Sequence, residues 1–229
     1  MTDQEITDLF GQVPYFIDQV IQPFQPETAK WPFRSMLSWA FEASVNIMRI
    51  SGTQHPDYAG LTWRDFLGKG RRMEGNLKAF RKNPAYYTDI VKRLPGMSLL
   101  FVDGKGYVAE DGNHRTCIGR CFLYGKESPY MHGVNLTEQH TDLRMMALHA
   151  RLREKLPGYC TAAPLVREAE RDDGPGWATH FFEVRIRVEN ARRKGFQGDF
   201  DADELEQGLL PALRNRFTAR FSSYRNLLF

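Results

Sequence analysis

The apolar positions divide the chain into stretches of different period. Residues 3–22 place Ile6, Leu9, Phe10, Val13, Phe16, Ile17, Val20 and Ile21 at helical spacing interrupted by Pro14, which predicts two short helices or one kinked one. Pro23 and Pro26 end that pattern. Pro32 then stands where the first turn of a helix tolerates proline. Met36, Leu37, Trp39, Ala40, Phe41, Ala43, Ile47 and Met48 carry this predicted helix to about Ile50, apolar around much of its girth and so expected to be buried. Thr62-Trp63-Arg64-Asp65 has the form of an N-terminal cap opening a short helix before Gly68 and Gly70. A basic helix follows, broken at Asn83-Pro84, and another runs from about Ala85 to Leu94, stopped by Pro95-Gly96.

Beyond that point the pattern changes. Ser98 to Val102 and Tyr107 to Ala109 are β-rich runs joined by Asp103-Gly104-Lys105-Gly106, which predicts a hairpin. A helix after Gly112 carries Cys117, Ile118, Cys121 and Phe122 on one side, with Gly125 as its C-cap. Met131 to Leu136 reads as a further strand, and Thr137 as the cap of a helix reaching Leu156 before Pro157-Gly158. Residues 159–176 look irregular and end in Arg171-Asp172-Asp173-Gly174-Pro175-Gly176, the composition of a mobile loop. From His180 to Asn190, Phe182, Val184, Ile186 and Val188 alternate with Glu183, Arg185, Arg187 and Glu189, predicting a half-exposed strand. Asp201 to Phe229 ends in helices, and no internal repeat or low-complexity segment is present.

Composition adds bounds to this pattern. With 229 residues, 42% of them hydrophobic and 13% aromatic, the chain can bury a substantial core. It has no apolar run of about 18 residues, and its acidic start (MTDQEITDLF) is unlike a secretory signal, so a cytoplasmic location without membrane insertion is expected. Three cysteines, Cys117, Cys121 and Cys160, make no disulfide framework, and no complementary His or Cys pair turns Cys117 and Cys121 into a metal site.

The net charge of +3 implies a nucleic-acid partner only if the basic residues cluster. They do so twice. Lys69, Arg71, Arg72, Lys78, Arg81 and Lys82 are opposed only by Glu74, as either a solvated helix face or an anion-binding wall. After Glu206 no acid remains, and Arg214, Arg216, Arg220 and Arg225 alternate with Phe217, Phe221 and Tyr224. That is an amphipathic helix with solvated arginines, or a surface pairing phosphate contacts with base stacking. Arg71, Arg72, Lys78, Arg214, Arg216 and Arg220 are thus the candidate contacts to nucleic acid or an acidic partner.

The densest chemistry is Glu110-Asp111-Gly112-Asn113-His114-Arg115. A helix starting after a glycine leaves its first N–H groups unpaired and carries partial positive charge there, so it can hold an anion. Gly112 permits close backbone approach, and Gly112, Asn113, His114, Arg115 and Thr116 are the candidate phosphate-binding residues. Glu110 and Asp111 fit beside a phosphate as ligands of a bridging divalent cation, or as a general base. The same residues admit a purely structural reading, with Asp111 an N-cap, His114 a satisfied polar side chain and Arg115 an ion-pair partner. No Walker-type or G-x-S-x-G motif occurs.

Tyr107-Val108-Ala109 as a strand, followed by Asp111-Gly112-Asn113-His114-Arg115 opening a helix, resembles the signature of the ParB/sulfiredoxin superfamily over about residues 60–150. The resemblance implies a nucleotide (CTP or ATP) at this helix start. It also implies one of several chemistries: nucleotide hydrolysis, phosphorylation of a small molecule, DNA cleavage, or reduction of an oxidised cysteine. Asn113 stands where the cysteine-reducing branch needs cysteine, and neither G-E-R-R nor a following helix-turn-helix marks the chromosome-segregation branch. The D-G-N-H-R form is closer to the nuclease and kinase branches, and it is similar to plasmid fertility-inhibition proteins, stand-alone members that block conjugative DNA transfer.

The expectation is an α+β protein with three parts: a helical extension over 1–58, a ParB/sulfiredoxin-like core of small mixed sheet and helices over 59–158, and a C-terminal strand and helical extension over 159–229. Its expected activity is phosphoester hydrolysis on a nucleoside triphosphate or DNA. Glu110, Asp111, His114 and Arg115 are catalytic, Glu110 or Asp111 holds Mg²⁺, and the ligand is ATP or CTP. The rival is a non-catalytic inhibitor that binds DNA or a protein of a DNA-transfer machine and keeps the motif as a turn. A small-molecule kinase is a third possibility, with no acceptor named by the sequence.

Overall fold

The computed structural model describes residues 1–90, 96–193, 195, 197–214 and 224–228. In chain order the elements are α1 (Asp3–Phe10), β1 (Gln22–Pro23), β2 (Arg34–Asn46), β3 (Ile50–Thr53), α2 (Trp63–Lys69), α3 (Met73–Lys82), β4 (Ser98–Val102), β5 (Lys105–Val108), α4 (Asn113–Tyr124), β6 (Tyr130–Thr141), α5 (Leu143–Lys155), β7 (Cys160–Gly174), β8 (Trp177–Asn190), β9 (Gln197–Phe200), α6 (Leu210–Arg214) and α7 (Arg225–Leu228). Short 3₁₀ turns cover Thr28–Phe33, Ile47–Arg49 and Pro84–Tyr87, and a π-helical turn covers Glu204–Leu209. The protein is therefore α+β with mixed parallel and antiparallel strand pairing.

Two compact units divide these elements. The first comprises Met1–Pro26, Ser38–Gln139 and Asp173–Thr179. Its strands follow the order β1-β3-β5-β4-β6-β2. The β4–β5 hairpin at its centre pairs Leu99 with Val108 and Val102 with Lys105. Asp103 (φ 49°) and Gly104 (φ 82°) both take left-handed backbone, the two-residue turn whose twist matches that of the strands. On one flank β3 runs parallel to β5, and on the other β6 runs parallel to β4. Ile47, Ile50, Trp63, Phe66, Leu67, Leu99, Ile118 and Met131 belong to its buried core. Full burial of each large side chain contributes roughly 1.5–3 kcal/mol.

The second unit comprises Glu27–Leu37, His140–Asp172 and His180–Phe229. In it β8 pairs with β7, and β9 pairs antiparallel with β8. Its core joins Met145, Leu148 and Leu152 of α5 to Val184, Ile186 and Val188 of β8 and to Leu205, Leu209 and Leu210. The predicted alternation of β8 is thus realised, with Val184, Ile186 and Val188 inward.

Several predicted elements take their predicted form. Thr62 caps α2, its Oγ1 accepting from the Asp65 backbone N–H at 3.0 Å. The basic helix is α3, ending at Asn83, and the helix after Gly112 is α4, capped by Gly125. Residues 3–22 depart from the predicted pair of helices or kinked helix: α1 ends at Phe10, capped by Gly11 (φ 88°), and a turn follows.

Other expectations are corrected. The helix predicted from Pro32 to Ile50 is β2, flanked by 3₁₀ turns and followed by β3, so the N-terminal stretch is not a purely helical extension. Leu37, Trp39, Phe41, Ala43 and Val45 do alternate with Ser38, Glu42 and Ser44, but Met36 and Ala40 fall on the polar phase and hide the period of two. This strand is half-exposed, with Phe41 60% accessible. The helix predicted to start at Thr137 starts at Leu143, because β6 continues through Thr137, which pairs with Leu100 of β4. Asp142 supplies the cap, accepting from Met145 N at 2.8 Å.

Finally, 159–176 is no loop: β7 occupies Cys160–Gly174. It is a terminal strand of the sheet order, where the charged run Arg167–Asp173 stays in water while the backbone pairs with β8. For the helix expected over 85–94, the structure has the 3₁₀ turn Pro84–Tyr87, and residues 91–95 lie outside the described residues. Phe217 and Phe221 of the predicted C-terminal stripe also lie outside them.

Candidate functional site

The start of α4 is held by the hairpin that precedes it. Beyond β5 the pairing continues, with Ala109 N donating to Ser98 O (2.9 Å) and Ser98 N to Asp111 O (3.0 Å), so the turn into the helix is anchored to the base of β4. Gly112 sits at the N-cap with φ 109°. A Cβ there would lie 2.9 Å from Met97 Cβ, so both the backbone conformation and the packing call for glycine.

The six motif residues separate by position. Asp111 is bound into the turn, Oδ1 accepting from Gly112 N and Oδ2 from Arg115 Nη2, both at 2.7 Å. Arg115 also bonds Tyr86, and its side chain is only 12% exposed. Asn113 is buried and its Oδ1 accepts from Thr53 Oγ1 at 2.6 Å, which leaves the amide Nδ2 as the donor end. His114 packs its ring against Phe66 and Tyr58, with centroids 5.0 and 5.3 Å away, and its buried Nε2 has no hydrogen-bond partner among the described residues. Burial, aided by the charges of Arg72 and Arg115, holds the His114 imidazole below its ordinary pKa.

Asp111, Gly112, Asn113, His114 and Arg115 line a cavity of about 480 Å³. The opposite wall comes from α3 and the turn after it: Arg72, Asn76, Ala79, Phe80, Asn83, Tyr86 and Tyr87. Burial raises the pKa of the Tyr86 phenol, with Arg115 pulling the other way, and burial likewise raises that of Tyr87. The cavity thus combines two guanidinium groups, a helix start, three amide side chains and an aromatic wall, with Asp111 its single carboxylate. Such a lining suits a ligand with an anionic end and a flat apolar end.

Other predicted residues lie elsewhere. Glu110 is exposed and is not part of the lining. Thr116 is fully buried below the cavity lining, its N–H donating to Gly112 O, which makes it the first closed turn of the helix. Arg72 faces the cavity, Arg71 lines a smaller neighbouring one, and Lys78 is exposed on α3 and lines neither. Arg214 closes α6 in the second unit, while Arg216 and Arg220 lie outside the described residues.

Some participants escaped the sequence reading. Asn76 and Tyr86 carried no motif, although Asn76 stands four residues after Arg72 and Tyr86 follows the Asn83-Pro84 break. Thr53 was invisible without β3. Arg120 is 3% exposed, its guanidinium stacked 3.9 Å from the Phe16 ring centroid and 4.3 Å from that of Trp63, and burial pushes its pKa down to about 10. It extends from α4 into the core, between Phe16 and the α2 residue Trp63. Cys117 and Cys121 are fully buried there, and burial drives the Cys117 thiol well up.

The donor set does not fit a resident Mg²⁺. Both Asp111 oxygens already accept from protein donors, and Glu110 is outside the cavity. Among the described residues no group of three or more His, Cys, Asp or Glu side chains could hold a metal ion. Among the same residues no helix is long and apolar enough to cross a membrane. Comparison of the chain with protein-family models, with curated proteins and with solved structures finds no match, so the reading of this site rests on its geometry.

Proposed function

We propose that the cavity at the start of α4 binds the phosphate group of a nucleotide or nucleic acid, and that the protein acts on that ligand as a phosphoester hydrolase. One observation carries the reading: a twelve-residue helix, opened by a left-handed glycine, starts at a cavity that also receives the guanidinium groups of Arg72 and Arg115. The phosphate would meet the first-turn amides of α4, Asn113 Nδ2 and the two arginines. Tyr86 and Phe80 would offer aromatic surface to the remainder. Hairpin, glycine turn and helix in this order support the ParB/sulfiredoxin resemblance, and with it a role as an effector of DNA transfer. In hydrolysis, Arg115 and the α4 amides would stabilise charge developing on the phosphoryl oxygens.

A second reading has its own support. Because Asp111 spends both oxygens on Gly112 and Arg115, the motif also makes sense as a turn in a non-catalytic binder of DNA or protein. Calorimetry with inorganic phosphate and ATP, alongside phosphate release from ATP and nicking of plasmid DNA, separates the two. Arg115→Ala should weaken phosphate binding by about tenfold or more, the loss of one charged hydrogen-bonding partner. Chelation by EDTA should leave binding unchanged, because the cavity holds no resident metal set. Turnover lost in Arg115→Ala supports the hydrolase; binding without turnover supports the binder. Phosphate affinity unaffected by Arg115→Ala would remove the site assignment.

A further inference from the structure

We infer that the basic cavity lined by His55, Tyr58, Lys69, Arg71 and Arg72 is a second anion subsite, which takes a further phosphoryl group of the ligand held at α4. The inference rests on the phosphate reading of the first cavity. The second measures about 300 Å³, and Arg72 lines both.

Three observations point to an anion. Arg71 and Arg72 stand at the start of α3, a ten-residue helix with no side-chain cap at Arg72. A helix start favours negative charge, so two guanidinium groups beside it are electrostatically frustrated until an anion joins them. Glu74 is the one acid of that first turn, and it does not line the cavity.

Next, the imidazole of His55 is oriented as a donor. Its Nδ1 accepts from the Asp57 N–H at 3.2 Å, which places the ring proton on Nε2. Stacking of the ring on Tyr58, 4.2 Å between centroids, holds it, and Tyr58 rests in turn on Phe66 at 4.5 Å. Asp57 is the one acidic residue of the lining, against Lys69, Arg71 and Arg72. Lys69 also pairs with Asp65 at 3.1 Å, but its side chain is 80% exposed and can turn toward a stronger anion.

Thirdly, the two cavities share a hinge of hydrogen bonds. The Thr53 hydroxyl donates to Asn113 Oδ1 in the first cavity and accepts from the backbone N–H of His55 in the second, at 2.6 and 2.9 Å. With Arg72 on the other side, one ligand bearing two phosphoryl groups meets both. A nucleoside polyphosphate and a nucleic-acid strand share this chemistry.

Calorimetry on the full chain tests the inference with three probes: inorganic phosphate, tripolyphosphate and a short oligothymidylate. The double variant Lys69→Ala/Arg71→Ala removes two exposed side chains, and an unchanged melting temperature confirms that it folds. Phosphate affinity should stay within about twofold, while tripolyphosphate or the oligonucleotide should lose about tenfold or more. Whichever probe responds names the source of the second phosphoryl group. Unchanged affinity for all three probes would overturn the subsite. Phosphate binding that Arg115→Ala leaves intact would instead overturn the reading of the first cavity. If the double variant still weakens tripolyphosphate in that case, the second cavity binds anions alone, and the shared ligand is overturned.

Discussion

Gly112 and His114 show how single residues set the properties of the site. At Gly112, any side chain meets two penalties: a φ of 109° and a contact with Met97 Cβ at 2.9 Å. Gly112→Ala should therefore cost about 1–3 kcal/mol, read as a fall of several degrees in melting temperature. An unchanged melting temperature in Gly112→Ala would show that neither the backbone nor the packing there is strained.

At His114 the imidazole is held below the ordinary 6.5 by burial first, then by Arg72, Arg115 and His55, with Asp111 opposing. A depressed folded-state value means that the unfolded chain binds the proton more tightly. Its contribution to stability is present above about pH 6.5 and is lost as the pH falls through the folded value. Bound phosphate would offset the two arginines, so an NMR titration of His114 should show its midpoint rise on saturation with phosphate. A midpoint at or above 6.5 without ligand would contradict the burial argument.

At the scale of elements, the site is a joint between a hairpin and three helices. The hairpin carries the turn into α4, while α2 and α3 bring Lys69, Arg71, Arg72 and Asn76 to it. The cap of α2 matters here, because Trp63, Phe66 and Leu67 bury that helix against the first unit's core. Thr62→Ala should cost about 1 kcal/mol, measurable by denaturant unfolding, through loss of the bond to Asp65 N. No change would mean that burial alone holds the helix.

Legibility in the sequence tracked how local each signal was. The hairpin, the Thr62 cap and the alternation of β8 rest on neighbours in sequence, and each is present, the hairpin turn tightened from the expected Asp103–Gly106 to Asp103-Gly104. Strand β2 and the extension of β6 past Thr137 depend on partners far along the chain, so their own residues pointed to helix.

For the whole molecule, the two units carry separate cores, and every residue lining the two cavities belongs to the first. Leu209, fully buried in the second core, provides a test of this division. Leu209→Ala should destabilise the protein by about 2–5 kcal/mol through the cavity it leaves. Phosphate affinity measured well below the melting transition should nevertheless remain at its wild-type value. A parallel loss of affinity would show that the site depends on the second core.

What the sequence determined by itself was local: a glycine-opened helix after a hairpin, with the charged and amide side chains of Asp111 to Arg115 at its start. Backbone conformation and helix-end electrostatics depend on a few consecutive residues, so they can be read without a fold. Only the tertiary structure decided which of those side chains face a cavity. It turned Glu110 to solvent and buried Thr116, tied Asp111 into its own turn, and brought Arg72, Asn76 and Tyr86 across from α3 and the turn beyond it. Those outcomes depend on which surfaces pack together over long sequence separations, and no period or motif in the chain encodes them.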